Sequence, residues 1–124
     1  MITFSTDHST RIRTAHYTGI VDDETLLRAY AALLSEPGYD ATFNDLVDLR
    51  GVSRLEVSAD AMRQLISMYT PVDQLGVQTR LAVVAASDVT FGMSRMYELL
   101  RGDGVPEEIR VFRSHDDAVA WLTA

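Results

Sequence analysis

The chain has 124 residues, a formal net charge of −7 and no cysteine. Its length predicts one domain, residues 1–124, that is large enough to bury a core. Without cysteine there is no disulfide and no thiolate metal site, and the negative charge argues against binding to a nucleic-acid backbone. The amino terminus lacks the basic segment and the long apolar run of a signal peptide, so we expect a cytoplasmic protein.

Two strands and a helix are predicted for the first third of the chain. Residues 2–5 and 11–17 favour strands, and the polar turn between them predicts an antiparallel hairpin. Asp22 is suited to begin a helix, because its carboxylate can accept a hydrogen bond from a free backbone N–H of the first turn. The helix is expected to end at residues 36–38, and its apolar residues recur at helical spacing: Leu26, Leu27, Tyr30, Leu33 and Leu34.

The middle of the chain predicts a strand, a helix and a further strand. Residues 43–49 form an apolar strand, and Gly51 is expected in a turn. Ser58 is suited to cap the next helix, which Pro71 is expected to end. Residues 79–85 are almost continuously apolar, as is typical of a parallel strand covered on both faces.

The last third predicts a helix, a strand and a final helix. Ser87 or Asp88 begins the first of these helices, residues 109–112 form the strand, and Ser114 begins the final helix. In the first of these helices Phe91 is expected to lie opposite the core-facing residues, which are Val89, Met93, Met96, Tyr97 and Leu100.

The elements follow in the order β-β-α-β-α-β-α-β-α, which predicts the α/β class. Right-handed crossovers between the later strands give a mostly parallel sheet of five strands with four helices on its faces. The first strand is expected at an edge of the sheet, antiparallel to its neighbour.

This order and four short segments resemble the STAS superfamily, and more closely its SpoIIAA-like branch of small bacterial proteins, which are also compared with CRAL-TRIO lipid-binding domains. The resemblance covers essentially the whole chain. It implies a non-enzymatic regulatory or interaction module that binds a protein partner through the surface of the second helix. The segments are 46–52 (LVDLRGV), 91–97 (FGMSRMY), 111–113 (VFR) and 118–122 (AVAWL).

Ser58 occupies the position at which antagonist proteins of this superfamily carry a phosphorylated serine, inside an Asp-Ser-Ser-Gly stretch. Here the stretch reads Glu56-Val57-Ser58-Ala59, so only the serine matches. The alternatives are a phosphoserine or a helix cap alone, and the three departures favour the cap. The residues that the resemblance and the strand-to-helix layout assign to partner binding are Ser58, Asp48, Arg50, Gly51 and Glu56.

Asp48 follows an apolar stretch of the third strand, where a carboxylate needs a partner. It either forms an ion pair with Arg50 or Arg95, or faces a ligand. Because ligands of open α/β sheets bind beyond the carboxyl ends of the strands, we expect Asp48 and Ser58 to open onto the same rim.

Several apolar residues fall outside the predicted core. Leu55, Met68, Leu75 and Phe91 would line a groove for a small apolar or lipid-like ligand, and Arg95 would bind an acidic headgroup during transient contact with a membrane. The alternatives are that these residues are buried by loops or that they form a homodimer interface.

An enzyme is the remaining class of function. The histidines are scattered without the spacing of a metal site, and no nucleophile stands at a recognisable spacing from a base. The sequence therefore predicts a regulatory or interaction module without metal or cofactor, with a carrier of an apolar ligand as the alternative.

Overall fold

Five strands form one sheet, and their order across the sheet is their order along the chain. The computed structural model describes residues 1–124. β1 and β2 are antiparallel, and each later pair is parallel. The α/β class, the mostly parallel sheet and the antiparallel edge strand are therefore confirmed. The strands are β1 (Ile2–Asp7), β2 (Ile12–Asp22), β3 (Asn44–Glu56), β4 (Thr79–Val84) and β5 (Glu107–Phe112).

Four of the five helices begin where the sequence predicts. The side chains of Asp22, Ser58, Ser87 and Ser114 each accept a hydrogen bond from a backbone N–H of the first turn. The fifth helix is a single turn that begins beside Pro71, where the missing N–H of proline costs nothing. The helices are α1 (Asp23–Ser35), α2 (Ala59–Met68), α3 (Thr70–Asp73), α4 (Asp88–Arg101) and α5 (His115–Leu122).

The helices divide the core into two clusters on opposite faces of the sheet. The larger cluster lies under α1, α2 and α4, and the smaller one lies under α5. β4 contributes to both, with Leu81 and Val83 in the larger cluster and Ala82 and Val84 in the smaller. The expectation that this strand is covered on both faces is confirmed.

β3 is longer than the sequence predicts, because it continues past Leu49 to Glu56 beside an equally extended β2. The pairing of these two strands shifts register twice, and each shift places an extra residue on β3. Gly51 lies at the first shift, where a Cβ atom would stand 2.9 Å from the carbonyl oxygen of Tyr17. The predicted turn at Gly51 is wrong, since this glycine permits a close approach of two backbones within a strand.

The core-facing side of α4 also differs from the prediction. Val89 is 68% exposed and Met96 is 36% exposed, whereas Ser94 and Arg101 are buried. Phe91 packs against the larger cluster instead of facing away from it. The apolar spacing misjudged this helix because ion pairs, rather than hydrophobicity, bury Arg101.

Candidate functional site

A cavity of about 100 Å³ lies within the larger core cluster. Its walls come from the sheet and from α1, α2 and α4, and 17 of its 20 lining residues are hydrophobic. We call it the central cavity. The lining residues include Leu49, Leu55, Met62, Leu65, Val83 and Met93. Such a space is apolar, and apolar cavities of this size favour apolar molecules over water.

Four tyrosines bring hydroxyl groups to the wall of the central cavity. The hydroxyls of Tyr17 and Tyr30 form a hydrogen bond of 2.7 Å with each other. Tyr69 and Tyr97 also line the cavity, and burial raises the pKa of both. All four therefore keep neutral hydroxyls at physiological pH.

Two carboxylates, Asp45 and Glu107, lie near the amino ends of β3 and β5 and line the same cavity. Arg13 holds Asp45 with its Nε 2.8 Å from Oδ1 and its Nη2 3.2 Å from Oδ2. Burial raises the pKa of Asp45, and the charge of Arg13 opposes that rise. The side chain of Arg13 is almost fully buried in this pair.

Glu107 shares its cationic partner with another acid. The guanidinium of Arg101 makes two hydrogen bonds to the Asp73 carboxylate, of 2.6 Å and 2.8 Å, while its Nε lies 3.4 Å from Oε1 of Glu107. Burial, reinforced by the charge of Asp45, raises the pKa of Glu107 to about 7, and Arg101 opposes that rise. Glu107 is therefore a carboxyl group that changes its charge near neutral pH.

The Asp48 side chain is held by its neighbour on the same strand. Arg50 donates to Oδ1 from Nε (2.9 Å) and from its backbone N–H (3.0 Å), and Nη2 lies 2.8 Å from Oδ2. These hydrogen bonds lower the pKa of Asp48. Of the two ion-pair partners that the sequence allows, Arg50 is the one observed, and Arg95 instead pairs with Glu98 on the surface of α4.

The Ser58 hydroxyl has two hydrogen-bond partners. It accepts from the backbone N–H of Ala61, which caps α2, and it donates to Oδ2 of Asp23 at 2.7 Å. The backbone N–H of Ser58 donates to the other oxygen of Asp23, also at 2.7 Å. Asp23 thus joins the amino end of α1 to the amino end of α2.

The residues predicted for partner binding form two separate groups. Asp48 follows Leu46 of the smaller core cluster by two positions along β3, so both side chains face the α5 side of the sheet. Ser58 leads into α2 on the opposite face, and Glu56 there pairs with Arg54. The expectation that Asp48 and Ser58 open onto one rim is therefore wrong, because β3 continues well beyond Asp48.

The residues predicted for an apolar groove do not come together either. Leu55 lines the central cavity, and Met68 packs against the core without lining the cavity. Leu75 is 64% exposed, and the ring of Phe91 lies 4.4 Å below the Arg113 guanidinium. The cavity is lined instead by residues that the sequence analysis assigned to the core or left unassigned.

The two acidic residues that line the cavity, and the arginines that pair with them, were missed. Asp45 and Arg13 stand inside strand-forming segments, and this placement of charged residues is the sequence signal that could have found them. Glu107 and Arg101 carry a weaker signal, because they flank the Gly-rich turn between α4 and β5. No group of three or more side chains is arranged to hold a metal ion, and no helix has the length and hydropathy needed to cross a membrane.

The fold is shared with two solved structures of low sequence identity, although the sequence matches no family model and no curated protein. An uncharacterised protein of the DUF3478 family from Shewanella loihica, described as having a SpoIIAA-like fold, has a TM-score of 0.59 at 16% identity, covering 98% of this chain and 92% of that one. The anti-sigma factor antagonist SpoIIAA in its unphosphorylated form has a TM-score of 0.54 at 10% identity, covering 98% and 96%.

The protein therefore has a SpoIIAA-like fold. The resemblance to the SpoIIAA-like branch of the STAS superfamily, predicted from four short segments, is confirmed for the fold.

Proposed function

We propose that the protein acts by binding rather than by catalysis, and that its ligand is a small, largely apolar molecule held in the central cavity. The cavity is the observation that carries this proposal, since it places apolar wall and a few polar groups together as ligand sites do. The side chains of Asp48 and Ser58, which the sequence predicts at a binding surface, form their hydrogen bonds within the chain.

The volume of the cavity limits the size of the ligand. An apolar cavity of ~150 Å³ in another protein takes benzene, so a cavity of about 100 Å³ takes a molecule of roughly four to six non-hydrogen atoms. A lipid-like ligand would require α1, α2 or α4 to move away from the sheet. The proposal therefore narrows the expected ligand to a small one.

A substitution that fills the cavity tests this function. Ala15 is buried and lines the cavity, so Ala15→Leu is expected to weaken binding of xenon and n-butanol at least about tenfold. NMR titration would follow the resonances of Val83 and Ile109, which line the same wall. Ala32→Leu, on the exposed face of α1, is the matched control and is expected to bind both probes as the wild type does.

Two results would contradict the proposal. The first is that xenon and n-butanol cause no shift of the cavity resonances in the wild type. The second is that Ala15→Leu binds both probes with the affinity of the wild type, while its cooperative melting shows that it is folded. Native mass spectrometry of protein purified from its own cells supplies the biological ligand, which would be absent from the Ala15→Leu protein and present in the control.

A protein partner at the joined amino ends of α1 and α2 is the second candidate function. The observation in its favour is the Asp23–Ser58 connection, which makes this edge one rigid surface. Four exposed acidic residues surround it beside Asp23, and three arginines, Arg28, Arg54 and Arg63, pair with three of them, so an excess of negative charge remains to attract a partner with a basic surface. One of the similar structures is an anti-sigma factor antagonist. The acidic residues are Asp22, Glu24, Glu56 and Asp60.

Phosphorylation of Ser58 is not part of this second candidate. A phosphate would remove the hydrogen bond that the hydroxyl donates to Asp23 and would place negative charge beside that carboxylate. The arrangement fits the role of Ser58 as a helix cap. It favours a binding surface that is always present over one that phosphorylation turns on and off.

Site-specific cross-linking tests the second candidate. A photo-cross-linking amino acid at Arg63, which is exposed on α2, is expected to capture a defined partner in cells. Asp60→Arg should lower the yield severalfold because it reverses a charge at this edge. Asp116→Arg, a matched reversal on α5, should leave the yield unchanged, and an equal loss from both variants would count against the α2 surface.

A further inference from the structure

The amino ends of β3 and β5, together with the end of α3, hold more buried acidic groups than basic ones. Asp45, Asp73 and Glu107 are carboxylates, and Arg13 and Arg101 are the guanidinium groups paired with them. Asp45 and Asp73 each receive two hydrogen bonds from their own arginine, whereas Glu107 receives only a contact of 3.4 Å from Arg101. Glu107 is therefore the carboxylate left in excess, and its side chain is 11% exposed.

Two tyrosine hydroxyls at the same cavity form no hydrogen bond within the protein. Tyr69 is 9% exposed, and both Tyr69 and Tyr97 line the central cavity. Every fully enclosed side-chain polar atom of the protein has a partner, so these two hydroxyls face open space. They are available to a ligand that offers a hydrogen bond.

We propose that the ligand of the central cavity is a small apolar amine, whose ammonium group lies against Glu107 and the rings or hydroxyls of Tyr69 and Tyr97. This inference rests on the proposed function and names the chemical class of its ligand. An ammonium compensates the excess carboxylate and is attracted by tyrosine faces. The hydrocarbon part of the amine fills the apolar space beside Val83 and Ile109.

Other ligand classes suit this charge balance less well. A carboxylic acid would add another negative charge to a place that already holds an excess one, which is costly in a buried site. A neutral alcohol would fill the apolar space, but it would leave the Glu107 carboxylate uncompensated. The amine is the class that uses both the apolar wall and the acidic end of the cavity.

The charge of Glu107 makes amine binding depend on pH. The groups that face Glu107 are Asp45 from β3, Asp73 from α3, Arg101 and Tyr97 from α4, Tyr69 at the end of α2, and Tyr39 in the loop after α1. The raised pKa of Glu107, about 7, means that its carboxylate forms between pH 6 and pH 8. An alkylamine stays protonated throughout this range, as a lysine side chain does. Amine binding is therefore expected to strengthen about tenfold from pH 6 to pH 8.

NMR titration with three probes of equal chain length tests the inference. At pH 8, n-butylamine is expected to bind at least about tenfold more tightly than n-butanol, and n-butyrate more weakly than either. Glu107→Gln should remove the preference for the amine and its pH dependence. Glu108→Gln, its neighbour on β5, is the matched control, because Glu108 is exposed, with its side chain 56% accessible, and pairs with Arg110.

The outcomes separate the inference from the function on which it rests. Equal binding of butylamine and butanol, or an amine preference that survives Glu107→Gln, overturns the amine class and leaves an apolar cavity in place. Failure of all three probes to shift cavity resonances overturns the ligand-binding function itself. If Glu107→Gln fails to fold, the pH dependence of butylamine binding by the wild type decides the matter, since a flat profile contradicts a role for Glu107.

Discussion

Replacing Arg101 with alanine is expected to destabilise the protein by about 3–5 kcal/mol, because the change leaves two acids without their buried partner. The Arg101 side chain is 1% exposed, and it binds both oxygens of Asp73 and approaches Glu107. Burial of a charge is tolerated only when it is paired. Urea denaturation at pH 7, followed by circular dichroism, measures the change in the free energy of unfolding.

Arg110→Ala is the matched control for Arg101→Ala. Arg110 pairs with Glu108 on the same strand, and both side chains are more than half exposed. An exposed ion pair contributes little, so we expect a change within about 0.5 kcal/mol. Adding Asp73→Asn to Arg101→Ala should recover part of the lost stability. A loss below about 1 kcal/mol for Arg101→Ala would show that solvent reaches this pair in the folded protein.

Helices that begin at a capping side chain were predictable from the sequence. Asp22, Ser58 and Ser114 begin helices because a short polar side chain satisfies a free backbone N–H, and this requirement is local. The almost continuous apolar run at residues 79–85 predicted a strand covered on both faces. Its side chains point alternately to both faces of the sheet, and apolar side chains are stable there only when they are covered from water. The order of these elements was sufficient to predict the fold class.

Features that depend on contacts between distant segments were not predictable. Gly51 was interpreted as a turn residue, although its lack of a side chain accommodates the backbone of Tyr17 on a neighbouring strand. The burial of Arg101 was not predicted, because the acids that allow it lie on α3 and β5. The spacing of apolar residues along one helix does not predict ion pairs with residues on other elements.

The site residue predicted at the carboxyl end of β3 and the acidic groups of the central cavity lie toward opposite ends of the sheet. Ligands of open α/β sheets bind beyond the carboxyl ends of the parallel strands, and this rule favours Asp48. The cavity's acidic groups stand near the amino ends of the strands instead, where Asp45 is the second residue of β3 and Glu107 is the first residue of β5. The rule describes crevices beyond the ends of the strands, whereas this cavity lies between one face of the sheet and three helices.

The wild-type protein is expected to lose stability as the pH rises from 5 to 8, and Glu107→Gln is expected to abolish most of that loss. Glu107 has a pKa of about 7 in the folded protein and an ordinary value of 4.5. Between these values the folded state holds a proton that the unfolded state releases, so stability falls with rising pH. The loss is complete above pH 7 and amounts to about 3 kcal/mol.

The pH range isolates this one group from the carboxylates with lowered pKa values. Asp48 contributes stability that is present above its unfolded pKa and is lost only as the pH falls through its folded pKa, below about 4. Asp45, whose pKa is raised, acts in the same direction as Glu107 but is present in both proteins. Because the charge of Asp45 helps to raise the pKa of Glu107, the difference between wild type and Glu107→Gln reports the ionisation of Glu107 together with its coupling to Asp45.

Urea denaturation at pH 5, 6, 7 and 8 measures this difference, with Glu108→Gln as the control that should follow the wild type. At pH 8 the Glu107→Gln protein is expected to be the more stable one, because glutamine is neutral and its amide loses only a weak contact with Arg101. Parallel profiles for the two proteins would mean that Glu107 ionises at an ordinary pKa. That result would place the carboxylate in contact with water, and the protein would then lack the buried excess charge that an ammonium ligand requires.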